Sequence, residues 1–223
     1  MYQTYLIDID NTILDFDAAE ERSFQKVIES YLPSYDSTML TSYQKINRNL
    51  WNLLEQGKIN REEVFHTRFS LYFQTLKKEV DGVEAETRYR SFLGSSSDTI
   101  PHAKETLLQL KGMGKKLYSA SNGVYTTQVD RLKKAGLYDL FDGMFISEAI
   151  GNEKPSPLFF QYCFEHIPNF VKAETIMVGD SLTSDIQGAV SSGIDSCLVL
   201  RADSSIKTAA TYTIHDLNEL LDL

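Results

Sequence analysis

Cysteine is nearly absent from this 223-residue chain: only Cys163 and Cys197 occur, each inside an apolar stretch. A disulfide-stapled scaffold is therefore excluded, and both thiols are expected to be buried and reduced, as in a cytoplasmic protein. Long hydrophobic runs are missing too. The longest are strand-sized, well short of the ~20 apolar residues that a membrane-spanning helix needs. Positive charge is scarce, with 22 Lys and Arg against 31 Asp and Glu and a formal net charge of −9. That balance argues against binding a nucleic-acid polymer. The first residues enter a candidate strand with no basic leader or cleavage site, again as expected of a cytoplasmic chain. No internal repeat or low-complexity tract interrupts the sequence.

What remains is an ordinary globular composition, 42% hydrophobic and 24% charged, in a chain long enough for one large domain or for a core with an inserted smaller one. Two textures divide it. Residues 1–15 and 96–223 carry short β-branched runs at 4–9, 117–121, 143–146, 176–179, 196–200 and 212–214, separated by helical stretches such as 103–113 and 124–135. Strands alternating with helices predict an α/β fold, a Rossmann-like parallel sheet sandwiched by helices. Residues 16–95 differ. Tyr43, Ile46, Leu50, Leu53 and Leu54 fall on one helical face, as do Phe65, Phe69, Tyr72, Phe73 and Leu76. This 3.6-residue period, punctuated by Gly57, Asn60, Gly82 and Gly94, predicts an inserted α-helical bundle after the first strand. The segment Ser95-Ser96-Ser97-Asp98 reads as the return linker.

Four segments carry polar groups where an apolar strand ends. In Leu6-Ile7-Asp8-Ile9-Asp10-Asn11-Thr12, two acids emerge two positions apart; ligands of open α/β sheets bind at such carboxyl ends, although an Asx turn would use the same residues. In Ser119-Ala120-Ser121-Asn122-Gly123, a hydroxyl is followed by an amide and a glycine, which suits either a phosphate-binding turn or a plain Asn-Gly turn. In Glu153-Lys154-Pro155-Ser156-Pro157, Ser156 and Pro157 predict a helix start. A lysine just ahead of that start opposes the helix dipole unless an anion is held there. In Val178-Gly179-Asp180-Ser181, followed by Asp185, one more strand delivers acids, though an acid in a first helical turn has dipole reasons of its own. Singly each segment admits a plain structural explanation. Together they bring carboxylates, a hydroxyl and a lysine to one edge of one sheet, and oxygen donors in that number suit a hard cation such as Mg²⁺.

In their order, Asp8-x-Asp10-x-Thr12, Ser121-Asn122-Gly123, Lys154, and Gly179-Asp180 with Asp185 resemble the four motifs of the haloacid dehalogenase-like hydrolase superfamily. The helical segment after the first motif resembles its cap. Within the superfamily the chain looks most like a branch of pyrimidine 5′-nucleotidases, through residues 10–16, Leu50-Trp51 with Glu55, Gly57 and Ile59, and Ile146-Ser147-Glu148 with Gly151, Lys154 and Pro155. The resemblance implies a Mg²⁺-dependent phosphoric monoester hydrolase acting on a small-molecule phosphate ester. Asp8 would be the nucleophile that becomes an aspartyl phosphate, and Asp10 the acid and base. The metal would rest on Asp8, the Asp10 backbone and Asp180, supported by Asp185. The phosphoryl group would be held by Ser121 and Lys154, with the backbone around Asp8, Ile9, Asp10, Asn122 and Gly123. The net charge of −9 adds a physical requirement: only the metal and Lys154 can make such a site attractive to a phosphate dianion.

Competing readings differ in residues. A dehalogenase would lack Asp10 and need no metal. A phosphonate-cleaving relative would need a cap lysine such as Lys45 or Lys58. A sugar phosphomutase, or a sugar-phosphate or phosphoglycolate phosphatase, shares all four motifs. A non-enzymatic phosphoacceptor would be shorter, with these residues ordered differently and no large helical insert, and a mere binding module would be expected to have lost a core acid. Arg48, Trp51, Arg68 and Tyr72 are candidate substrate contacts from the helical segment, although a helical Trp is ordinarily core. A monomer is the default expectation.

Overall fold

The computed structural model describes residues 1–201 and 206–223. They form two compact units, Met1–Phe16 with Ser97–Leu223, and Asp17–Ser96. The helices are α1 (Phe16–Tyr31), α2 (Ser37–Glu55), α3 (Arg61–Thr75), α4 (Gly82–Leu93), α5 (Ala103–Gly112), α6 (Tyr125–Ala135), the single turn α7 (Ser147–Ile150), α8 (Pro157–His166) and α9 (Gln187–Ser192). Among the described residues, no helix is long and apolar enough to cross a membrane.

Six strands of the larger unit, β1 (Thr4–Ile7), β2 (Lys116–Ser121), β3 (Gly143–Ile146), β4 (Thr175–Gly179), β5 (Asp195–Val199) and β6 (Tyr212–Ile214), make one sheet in the order β3-β2-β1-β4-β5-β6. Every neighbouring pair is parallel. Both faces of the sheet are covered, and side-chain alternation sorts the core. Tyr5, Ile7, Leu117, Ile176 and Val178 join Leu107, Leu110, Leu132, Leu217 and Leu220 on one side. Leu6, Tyr118, Ala120 and Met177 join Phe159, Phe160, Cys163 and Ala189 on the other. Burial on both faces is why these strands read as unbroken apolar runs. The expected α/β class and all six strands are present. Cys163 and Cys197 are free and buried, and burial pushes the Cys197 thiol up to about 12.

The first strand ends two residues before its apolar run does. Asp8 N–H still donates to the Val178 carbonyl at 2.8 Å, but the Ile9 carbonyl then accepts from Ile13 and Leu14. Asn11 takes a left-handed conformation (φ 59°) that closes the turn. Strand order reverses between β1 and β4, so the crevice beyond their carboxyl ends is where such a sheet can hold a ligand. Asp8 and Asp180 leave the sheet there.

The smaller unit is built from helices with explicit caps. Asp36 accepts from Thr38 N–H, Asp81 accepts from Val83 and Glu84 N–H, and Asn60 with Glu63 forms a reciprocal capping box. Its centre is aromatic. Phe24 stacks on Tyr43 with ring centroids 4.6 Å apart, and Tyr43 on Phe69 at 5.0 Å.

Candidate active site

Asp8 is 7% exposed and its two oxygens are separately held. Lys154 Nζ donates to Oδ1 at 2.7 Å, and Thr12 Oγ1 donates to Oδ2 at 3.2 Å. Lys154, fully buried, also donates to Asp185 Oδ1 at 2.6 Å and to the Ala120 carbonyl. Three acceptors for three ammonium protons make a complete shell. The anion demanded by a lysine ahead of a helix start is thus the protein's own pair of carboxylates. Ser156 does cap α8, accepting from Leu158 N–H, with Pro157 in the first turn.

Asp185 lies in the turn of Leu182–Ile186, where its Oδ2 accepts from Ser181 N–H at 3.0 Å. Gly179 makes room for it: a Cβ there would sit 2.2 Å from Asp185 Oδ2. One oxygen each of Asp8, Asp180 and Asp185 lies within 4.8 Å of the other two. Three carboxylates against one ammonium leave two negative charges in a buried space. Burial raises the Asp8 carboxyl well above the ordinary range, Asp185, Asp180 and Asp10 raise it further, and Lys154 opposes them. Asp180 is pushed up to about 7, by burial first and then by Asp185. An oxygen-only donor set with two charges to neutralise fits a hard divalent cation.

Ser121 ends β2 as a poised donor. Its Oγ accepts from Gly123 N–H at 3.1 Å and from Gln128 Nε2 at 2.9 Å. With both lone pairs used, its own O–H is left to donate to an anionic oxygen. Asn122 and Gly123 also build the framework of the site. The Asn122 side chain clasps the Lys154 backbone, donating to its carbonyl at 2.9 Å and accepting from its N–H at 2.8 Å. Asn122 thereby fixes the third motif against the second, and Gly123 N–H serves Ser121. Gly123 is glycine for space, because a Cβ would meet Gln128 at 2.7 Å. The side chain of Ile9 is core, so only its backbone can address the site.

Two residues at the site escaped the sequence reading. Gln128 Nε2 donates to Asp10 Oδ2 at 2.7 Å, Arg131 NH1 donates to Asp10 Oδ1, and Gln128 Oε1 accepts from Arg131 NH1 at 3.0 Å. Their only signal in sequence is an i, i+3 pair one turn into the helix after Gly123.

Within the smaller unit, Arg68 and Tyr72 are corrected outright. Arg68 gives Nε and NH2 to Glu86 at 2.6 and 2.7 Å and NH1 to Asn47 at 3.1 Å, and it is 4% exposed. Tyr72 is fully buried, edge-on to Phe24. Both serve the core of their unit. Trp51 is half-buried against Phe65, and Arg48 is exposed.

A parallel sheet that gathers an acid, a hydroxyl, a lysine and further acids beyond its carboxyl edge defines a class of phosphoryl-handling α/β proteins, and residues 5–199 match the family model for haloacid dehalogenase-like hydrolase. The chain belongs to that family. It is 38% identical to the HAD-hydrolase YfnB of Bacillus subtilis (98% of this chain, 94% of that one) and 34% identical to the pyrimidine 5′-nucleotidase PynA of Streptococcus pneumoniae (99% and 94%). It is 28% identical to the pyrimidine 5′-nucleotidase YjjG of Escherichia coli (97% and 95%). The crystal structure of magnesium-bound YfnB superposes with a TM-score of 0.93 at 39% identity, covering 99% of this chain and 97% of that one.

Proposed function

We propose that this protein is a Mg²⁺-dependent phosphatase that hydrolyses phosphate monoesters of small metabolites through a phosphorylated Asp8, with pyrimidine nucleoside 5′-monophosphates as its substrates. The observation that carries this reading is the Asp8 carboxylate itself, fixed by Lys154 and Thr12 at the switch point of the sheet with Asp180 and Asp185 beside it. The substrate class rests on the likeness to PynA and YjjG.

In this reading an Asp8 oxygen attacks phosphorus, the ester P–O bond breaks, and the departing alcohol takes its proton from Asp10. Water then attacks the aspartyl phosphate and yields its proton to Asp10, releasing inorganic phosphate and restoring Asp8. Ser121 O–H holds a phosphoryl oxygen through both transfers, and Lys154, whose three protons go to Asp8, Asp185 and the Ala120 carbonyl, offsets the phosphoryl charge from beside Asp8. Asp8, Asp180 and the Asp10 carbonyl would hold the metal, with Asp185 in support: both Asp185 oxygens are already engaged, by Lys154 and by Ser181 N–H. When bound, Mg²⁺ offsets the charge of the acids and of the phosphoryl group. The barrier is among the largest that enzymes face, on the order of 20 kcal/mol to be removed, and positioning and charge must supply most of it. The unit Asp17–Ser96 acts as the cap, where Arg48 and Trp51 remain the candidate contacts. The partner is a small phosphate ester, and the enzyme works as a cytoplasmic monomer.

A panel of nucleoside monophosphates, sugar phosphates and phosphoglycolate, ranked by kcat/KM with Mg²⁺, tests this reading. Pyrimidine 5′-monophosphates should lead, and activity should vanish in EDTA and in Asp8→Asn. A flat profile would remove the pyrimidine preference alone; undiminished turnover in EDTA or by Asp8→Asn would remove the mechanism.

A further inference from the structure

Among the described residues, a second buried cation besides Lys154, Arg131, is paired with an acid of the site. Arg131 is 1% exposed on α6, and a guanidinium so deep in a fold costs stability unless it is closely paired. Packing alone would be served better by an apolar residue. Its partner is no distant structural acid but Asp10, and the Phe16 ring lies 5.8 Å from the guanidinium carbon. Gln128, one turn earlier, closes the arrangement. Arg131 can only donate, so the Gln128 oxygen must face it; the Gln128 amide nitrogen is then aimed at Asp10 and Ser121, as found. Both Asp10 oxygens have a donor on α6, although its side chain is 31% exposed and would otherwise be free to rotate.

We propose that Arg131 and Gln128 are positioning residues that hold the Asp10 side chain in line with the leaving oxygen of the substrate. Neither touches the reacting atoms. They act by fixing one rotamer of the group that delivers the proton, and Gln128 ties that rotamer to Ser121, which faces the phosphoryl group. The inference rests on the phosphatase reading above.

Leaving-group dependence tests it, because a merely structural residue would affect all esters alike. In p-nitrophenyl phosphate the phenolate departs without needing a proton, whereas an alkyl phosphate requires Asp10. The parameter kcat/KM covers events only up to departure of the alcohol, so the later hydrolysis of the intermediate does not enter. For Arg131→Met, kcat/KM on the best alkyl ester is expected to fall on the order of 100-fold, and on p-nitrophenyl phosphate by no more than about 5-fold. Arg131→Lys should restore part of the alkyl activity. Thermal melts check the fold, and Gln128→Met, which leaves no buried charge unpaired, is expected to show the same split and decides the matter should Arg131→Met unfold. Equal losses on both esters in a folded variant, or no loss on either, would overturn the positioning role while leaving the phosphatase reading intact. A wild type inactive on both esters with Mg²⁺ would instead remove that reading, and the positioning role with it.

Discussion

Lys154 is the residue on which the charge balance of the site turns. It faces the Asp8 carboxylate just past β1, the Ala120 carbonyl of β2 and the Asp185 carboxylate in the turn after β4, and burial alone would drive its proton off. Asp185 and Asp8 outweigh that and hold it charged. Removing one member of a buried ion pair leaves the others uncompensated, which costs more than the pair contributes. Lys154→Met is therefore expected to lose ~3–5 kcal/mol of stability, read from its urea midpoint without metal. An unchanged midpoint would show that the acids relax or take up protons at no cost. The same residue-level logic explains Arg68, whose guanidinium gives three N–H groups to Glu86 and Asn47 and is buried out of reach of a substrate.

At the level of elements, the site depends on how strand ends meet turns. The end of β4 and the turn of Leu182–Ile186 approach so closely that only glycine fits at 179. The clash in Gly179→Ala involves the whole Asp185 carboxylate, pinned by Lys154 and Ser181, rather than the loose end of a flexible chain. Displacing a group that orients metal ligands typically costs ten- to a hundredfold in affinity, so Gly179→Ala should weaken Mg²⁺ binding by about that factor in calorimetry. Binding as tight as wild type would mean that Asp185 plays no part in supporting the metal. The α6 helix shows the same economy: Glu148 accepts from Tyr125 N–H at its start, and Gln128 and Arg131 stand on its site-facing side.

For the whole molecule, net charge and local charge point the same way, and both predict how stability responds to pH. Asp8 and Asp180 have folded-state pKa values above their ordinary 3.8, Asp180 near 7. The folded protein therefore keeps protons that the unfolded chain has already released, and stability falls as pH rises from about 4 through 7. The melting temperature of metal-free protein should drop between about pH 5 and pH 8. Mg²⁺ should raise it more at pH 8, where the carboxylates no longer hold protons against the metal. A metal-free melting temperature that climbs across this range would show that the acids are not crowded as described.

How much of this was legible in the sequence depends on the distance over which each property is set. Strand and helix positions follow from local apolar period; β1, β2, β4 and β5 could be read because burial on both faces leaves apolar runs, and the less buried β3 and β6 as short stretches of strand-forming residues. Asp8 and Asp180 could be read because each directly follows such a run, and Asp10 and Asp185 because they lie two and five residues further on. The two-unit division has its counterpart in the change of texture near residues 16 and 96. Period alone cannot tell which side of a helix meets its own core and which meets a ligand, and so Tyr72 and Arg68 looked available while they were internal. Nor could it show that Asn122 clasps Lys154 across 32 residues, or that Arg131 reaches Asp10 across 121. Sequence by itself determined the fold class and the family, and placed Asp8 and Asp180 at the ends of apolar strands, since these depend on neighbours along the chain. Only the tertiary structure decided which groups share protons and charge, because hydrogen bonds act over about 3 Å and unlike periodicity leave no trace in residue order.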